Sequence, residues 1–118
     1  MKVIVAGSRG IHDYEFVAQA IRCSGFDITE IVSGTAAGVD RLGERWAREN
    51  NIPISRFPAN WDTHGKAAGP IRNREMAEYA NALVAVHNGV SHGTAHMIKT
   101  AKELGLLVMV FTYPSITS

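Results

Sequence analysis

Five short apolar runs are separated by stretches whose apolar residues recur every three or four positions. The run at residues 3–6 predicts a buried strand that closes at Gly7, Ser8, Arg9 and Gly10. Residues 13–24 predict a helix with Phe16, Val17, Ala20 and Ile21 on one face. Ile31 and Val32 centre a second strand, which stops at Ser33 and Gly34. A helix over 38–50 follows. Its apolar stripe is Val39, Leu42, Gly43, Trp46 and Ala47, and its polar face pairs Glu44 with Arg48 and Arg45 with Glu49. Residues 54–57 form a third strand, polar enough to lie near an edge. A loop is expected over 58–69, then a helix over 70–79 with Pro70 suited to its first turn. Residues 82–86 give a fourth strand, and 88–94 turn the chain into a helix ending near Leu104 and Gly105. Residues 106–111 are apolar throughout, which predicts a fifth strand covered on both faces. After Tyr113 and Pro114 the chain reads as an irregular tail.

Strands alternating with helices call for a parallel sheet with helices on both faces. The natural solution is a single α/β, Rossmann-like, doubly wound domain with strand order 3-2-1-4-5. A chain of 118 residues with 46% hydrophobic and 19% charged residues suits one such domain, spanning 1–118. The single cysteine, Cys23, excludes an intrachain disulfide and is expected to be buried or half-buried in its helix. No apolar run approaches the roughly 18 residues that cross a bilayer, and the first residues lack a signal-peptide layout. A cytoplasmic location without a membrane partner is the expectation. The net charge of +1 gives no general electrostatic grip on nucleic acid, although arginines outnumber lysines eight to four.

In sheets of this kind ligands bind beyond the carboxyl ends of the strands. Eight of the 11 glycines (Gly7, Gly10, Gly34, Gly38, Gly65, Gly69, Gly89 and Gly93) fall in the segments after strands one to four. Two of those segments, Ser33 to Gly38 and Gly89 to Thr94, run straight into helices. A helix N-terminus presents free N–H groups and the positive end of its dipole, and glycine lets an anion approach them. One such loop is explained by a tight turn alone; several on one rim point to phosphate.

Familiar nucleotide signatures are absent: Gly7-Ser8-Arg9-Gly10 is no dinucleotide fingerprint, and Gly65-Lys66-Ala67 lacks the remainder of a P-loop. Gly89-Val90-Ser91-His92-Gly93 matches a nucleophile elbow, yet the only later acid is Glu103 and no histidine follows it. His92 and His96 lie four apart with His87 nearby, but no carboxylate completes a metal set, so neither metal nor cofactor is called for. Arg9, Lys66, Arg72 and Arg74 fall in or beside the rim segments. Arg72 sits in a first helical turn, where the dipole disfavours a cation, which suggests a functional reason for it. Glu75 and Glu78 are placed to pair with Arg72 and Arg74. Asp40 suits its helix dipole and could also reach a ribose, and Trp61 either stacks on a base or caps the core.

Four segments taken together resemble the YspA-type, cpYpsA-related branch of the SLOG superfamily. They are Val5 to Arg9, Ser33 to Arg41, Ala68 to Met76 and Ser91 to His96. The resemblance implies a Rossmann-like fold and a rim that binds nucleotides or nucleotide-derived ligands, with a homodimer as the candidate assembly. The superfamily includes the LOG phosphoribohydrolases, whose paired motifs are R-K-x-x-M and G-G-x-G-T-x-x-E. Arg72-Asn73-Arg74-Glu75-Met76 is similar to the first, with Asn73 in place of Lys. Gly93-Thr94 matches the second, but Val90 and Ser91 replace its leading glycines and Met97 stands where the catalytic Glu is expected. A thioether cannot activate water.

The leading expectation is therefore a nucleotide-binding domain, acting as a sensor or sequestering protein. Its ligand-binding residues are Gly7, Ser8, Arg9, Ser33, Gly34, Thr35, Gly38, Asp40, Trp61, Arg72, Asn73, Ser91, Gly93 and Thr94. The first alternative is a nucleotide N-glycosidic hydrolase with Arg72 and Glu75 as catalytic residues. The second is a single-stranded DNA-binding module, which the net charge opposes.

Overall fold

The structure, a computed structural model, describes residues 1–114; the expected irregular tail beyond Pro114 lies outside them. Five strands, β1 (Lys2–Gly7), β2 (Glu30–Ser33), β3 (Ile54–Arg56), β4 (Ala82–His87) and β5 (Leu107–Thr112), pair in parallel in the order β3-β2-β1-β4-β5. The chain fills one side of β1 first and then crosses to the other. The topological switch therefore falls between β1 and β4, where Gly7 stands opposite Val86.

The two-residue period of the central strands builds a core on each face of the sheet. Val3 and Val5 of β1 join Ile31, Val84 and Val86 beneath α1 (Tyr14–Cys23) and α2 (Val39–Glu49). Ile4 and Ala6 join Val32, Leu83 and Ala85 in the other cluster, which holds Met76 of α4 (Ala68–Tyr79) and Met97 of α5 (His92–Glu103). Ile4 and Leu83 are fully buried, and truncating such a side chain costs about 2–5 kcal/mol. Gly43 lets α2 cross β1 closely, since a Cβ there would lie 2.8 Å from the Val5 side chain.

Three local expectations are corrected. Strand β5 is not covered on both faces: Leu107, Met109 and Val110 are 56%, 37% and 42% exposed. Among the described residues it ends the sheet and pairs only with β4. Cys23 is exposed, because α1 buries Val17, Ala18, Ala20 and Ile21 and turns its last residue outward. The loop expected over 58–69 contains a short helix, α3 (Trp61–His64), and a 3₁₀ turn over Gly65–Ala67, and α4 already begins at Ala68. Asn60 nucleates α3 by accepting the Thr63 N–H at 3.1 Å. Within 1–114 no helix is long and apolar enough to cross a membrane.

Candidate functional site: a cavity at the switch point

The carboxyl ends of β1 and β4 are tied together by Ser8. Its N–H donates to the Val86 carbonyl at 3.1 Å, its hydroxyl donates to Asn88 Oδ1 at 3.2 Å, and that hydroxyl accepts the Asn88 N–H at 3.2 Å. Close backbone packing accounts for two of the rim glycines. A Cβ on Gly7 would lie 1.8 Å from the Val86 carbonyl oxygen. Gly38 has φ +77°, and a Cβ there would lie 2.4 Å from the Ser8 carbonyl oxygen.

The loop from β2 to α2 spends most of its polar groups internally. Ser33 donates to Glu44 Oε2 at 2.6 Å, and Arg56 holds the other Glu44 oxygen at 3.0 Å. Thr35 donates its N–H to Ser33 Oγ and has φ +64°, a left-handed conformation that a β-branched residue rarely adopts. Asp40 is buried and accepts the Ala36 N–H at 3.2 Å. Burial pushes its carboxyl up to about 6, against the opposing pull of the Ala36 N–H, Arg72 and the Gly7 N–H.

Arg72 reaches across from α4 and donates Nη1 to the Gly34 carbonyl and Nε to Asn73 Oδ1. Asn73, also buried, directs its amino group to the Gly93 carbonyl at 3.4 Å and to His96 Nδ1 at 3.2 Å. One polar chain thus joins the β2 loop, α4 and α5. Partial burial holds the Arg72 guanidinium below its ordinary pKa; Asp40 opposes that and the like charge of Arg9 adds to it. Among the described residues no ion pair includes Arg9 or Arg72.

Helix α5 opens on Ser91, whose Oγ accepts the Thr94 N–H at 3.2 Å. The first-turn N–H groups of His92 and Gly93 have no intrahelical partner. A Cβ at Gly93 would meet nothing within 4 Å, so neither packing nor φ demands glycine there.

These elements enclose a cavity of about 590 Å³, within the range of small-molecule sites. It brings together Gly7, Ser8, Arg9, Asp40, Trp61, Arg72, Asn73, Ser91, Gly93 and Thr94 of the sequence candidates. Ser33, Gly34, Thr35 and Gly38 stand behind the wall rather than on it. Glu75 does not share the cavity with Arg72; it lines a separate depression between α4 and α5 with Arg74 and Glu78. Asp40 is the cavity's only carboxylate among the described residues, and the buried Met97 lines it too. Asn88, Met76 and Val90 also line it and were not singled out from sequence. The position of Asn88 just after β4 was their clearest signal. Within 1–114 no group of three or more His, Cys, Asp or Glu side chains is placed to hold a metal ion.

A model of the YspA, cpYpsA-related SLOG family matches residues 1–64. Gene 61 protein of Mycobacterium phage D29 is 32% identical over 120 residues, covering 93% of this chain and 95% of that protein. The X-ray structure of DNA processing protein A (DprA) from Streptococcus pneumoniae superposes with a TM-score of 0.75 at 21% identity, over 92% of this chain and 49% of that one. This last likeness shows the shared fold, and the chain spans about half the length of that protein.

Proposed function

Because the chain belongs to the YspA, cpYpsA-related SLOG family, we propose that the switch-point cavity binds a nucleotide or nucleotide-derived ligand. The observation that carries this reading is the pair Arg9 and Arg72. Both line the cavity, and neither is ion-paired among the described residues. Two like charges held near each other in a concave site favour an anion between them. The N–H groups of His92 and Gly93 would take further phosphate oxygens at the positive end of the α5 dipole.

Binding without turnover, as a sensor or sequestering protein, is the form of the function that the lining supports better. By the motif resemblance Met97 stands where a catalytic Glu is expected, and Glu75 lies outside the cavity. Calorimetric titration with ATP, ADP-ribose, NAD and nucleoside monophosphates tests the reading. Saturable binding of at least one, weakened in Arg72→Ala, is expected. A folded protein that takes none of them overturns it, and binding of single-stranded oligonucleotides alone would favour the DNA-binding alternative. Release of free base from the same panel would replace binding with hydrolysis.

A further inference from the structure

We propose that Trp61 is a stacking platform, so that the cavity selects a ligand carrying an aromatic base over a bare sugar phosphate or polyphosphate. The inference rests on the nucleotide reading above and adds the part of the ligand that the anion site leaves unspecified.

Of the two roles open to Trp61 from sequence, capping the core is excluded by its position. The indole packs against neither apolar cluster and is 52% exposed. It lines the cavity instead, on the side formed by the start of α4. An aromatic face left bare at the mouth of a concave site is open to a flat apolar group of a ligand.

Its support suits a contact completed by ligand. Helix α3 has four residues, all exposed, so little holds it apart from the Asn60 cap. The indole points one edge at the first turn of α4: Cη2 would lie 3.5 Å from a Cβ built on Gly69. Stacking needs a π-face on the ligand and no hydrogen-bond code, which matches a wall whose Trp61 side also contains Pro70. Cationic groups are supplied elsewhere in the cavity by Arg9 and Arg72, leaving the indole for the uncharged end of the ligand.

The test compares wild-type protein, Trp61→Ala and Trp61→Phe. Adenosine and guanosine monophosphates are titrated alongside ribose 5-phosphate and pyrophosphate, which lack a base. Trp61→Ala should weaken the nucleotides by roughly 5- to 150-fold. Ribose 5-phosphate and pyrophosphate should shift less than about twofold, and Trp61→Phe should recover most of the nucleotide affinity. In a Trp46→Phe background, nucleotide should quench the remaining indole emission and ribose 5-phosphate should not. If Trp61→Ala binds nucleotides as the wild type does, or weakens all four ligands equally, the platform is overturned while the nucleotide site stands. If the wild-type protein takes none of these four, nor ATP, ADP-ribose or NAD, the nucleotide reading falls and the platform with it.

Discussion

Arg72 donates to the main-chain carbonyl of Gly34, and a methyl group on Gly34 would sit 2.6 Å from the same guanidinium nitrogen. Gly34→Ala should therefore displace the Arg72 head without adding a side chain to the cavity wall. The guanidinium is the far end of a flexible side chain, but the methyl would also lie 2.8 Å from Oδ2 of the buried Asp40, so a stability loss of about 1–3 kcal/mol by urea denaturation is expected. Nucleotide affinity should fall about 10- to 100-fold, the worth of one charged hydrogen bond. In an Arg72→Ala background the same change should add little. Unaltered affinity in Gly34→Ala would mean that Arg72 does not contact ligand from this position.

Two rim glycines should separate packing from ligand access. Gly7→Ala forces a methyl into the Val86 carbonyl and the Val39 side chain, and should cost about 3 kcal/mol or more. Gly93→Ala meets open space in the first turn of a helix. It should leave stability unchanged or raise it by up to about 1 kcal/mol, while weakening nucleotide binding about tenfold through lost backbone approach. Paired urea and calorimetric measurements decide. A Gly93→Ala protein that binds normally would remove the α5 terminus from the site.

Asp40 should shape the pH dependence of stability. Its folded carboxyl titrates at about 6, against 3.8 for an ordinary aspartate. Between about pH 4 and 6 the folded chain thus holds a proton that the unfolded chain has released. The contribution of Asp40 is fully favourable below about 4 and is lost as pH rises through 6. Asp40→Asn keeps an acceptor for the Ala36 N–H and abolishes this titration. Its stability relative to wild type should rise by about 3 kcal/mol between about pH 4 and pH 7, on top of a fixed offset from the Gly7 N–H that an amide nitrogen cannot accept. A pH-independent difference between the two proteins would show that Asp40 is charged throughout.

Thr35 carries the strain of the β2–α2 turn in its φ of +64°. Thr35→Gly should raise stability by about 0.5–1 kcal/mol, the relief of a left-handed β-branched residue less the entropy glycine adds to the unfolded chain. The Arg41 Nε bond to the carbonyl of residue 35 is kept in both proteins, so equal urea midpoints would mean that the strain is no larger than the entropy glycine adds to the unfolded chain.

The strand order could be read from sequence because alternating elements and right-handed crossovers leave few parallel sheets to choose from. The environment of β5 could not. An apolar run reports what a strand can bury, whereas Leu107 and Val110 are exposed in a strand that, among the described residues, ends the sheet. In the site, the glycine-rich loops were visible, but their division of labour was not. Ser33 looks like a phosphate ligand until Glu44, eleven residues on, is seen to occupy its hydroxyl. Glu75 shows the opposite case. Gly69, Arg72, Asn73 and Met76 follow one helical stripe onto the cavity wall, and that period, applied strictly, already turns Glu75 away.

Asn73 also sets the direction of every hydrogen in its neighbourhood. With its carbonyl end committed to Arg72, its amino end must face Gly93 and His96. A neutral His96 can then only accept at Nδ1, so its remaining hydrogen is carried on Nε2. Donors and an acceptor share this cavity, since Arg9 and Arg72 line it together with the Asp40 carboxylate. The orientation of one side-chain amide thus fixes where its histidine neighbour carries its hydrogen.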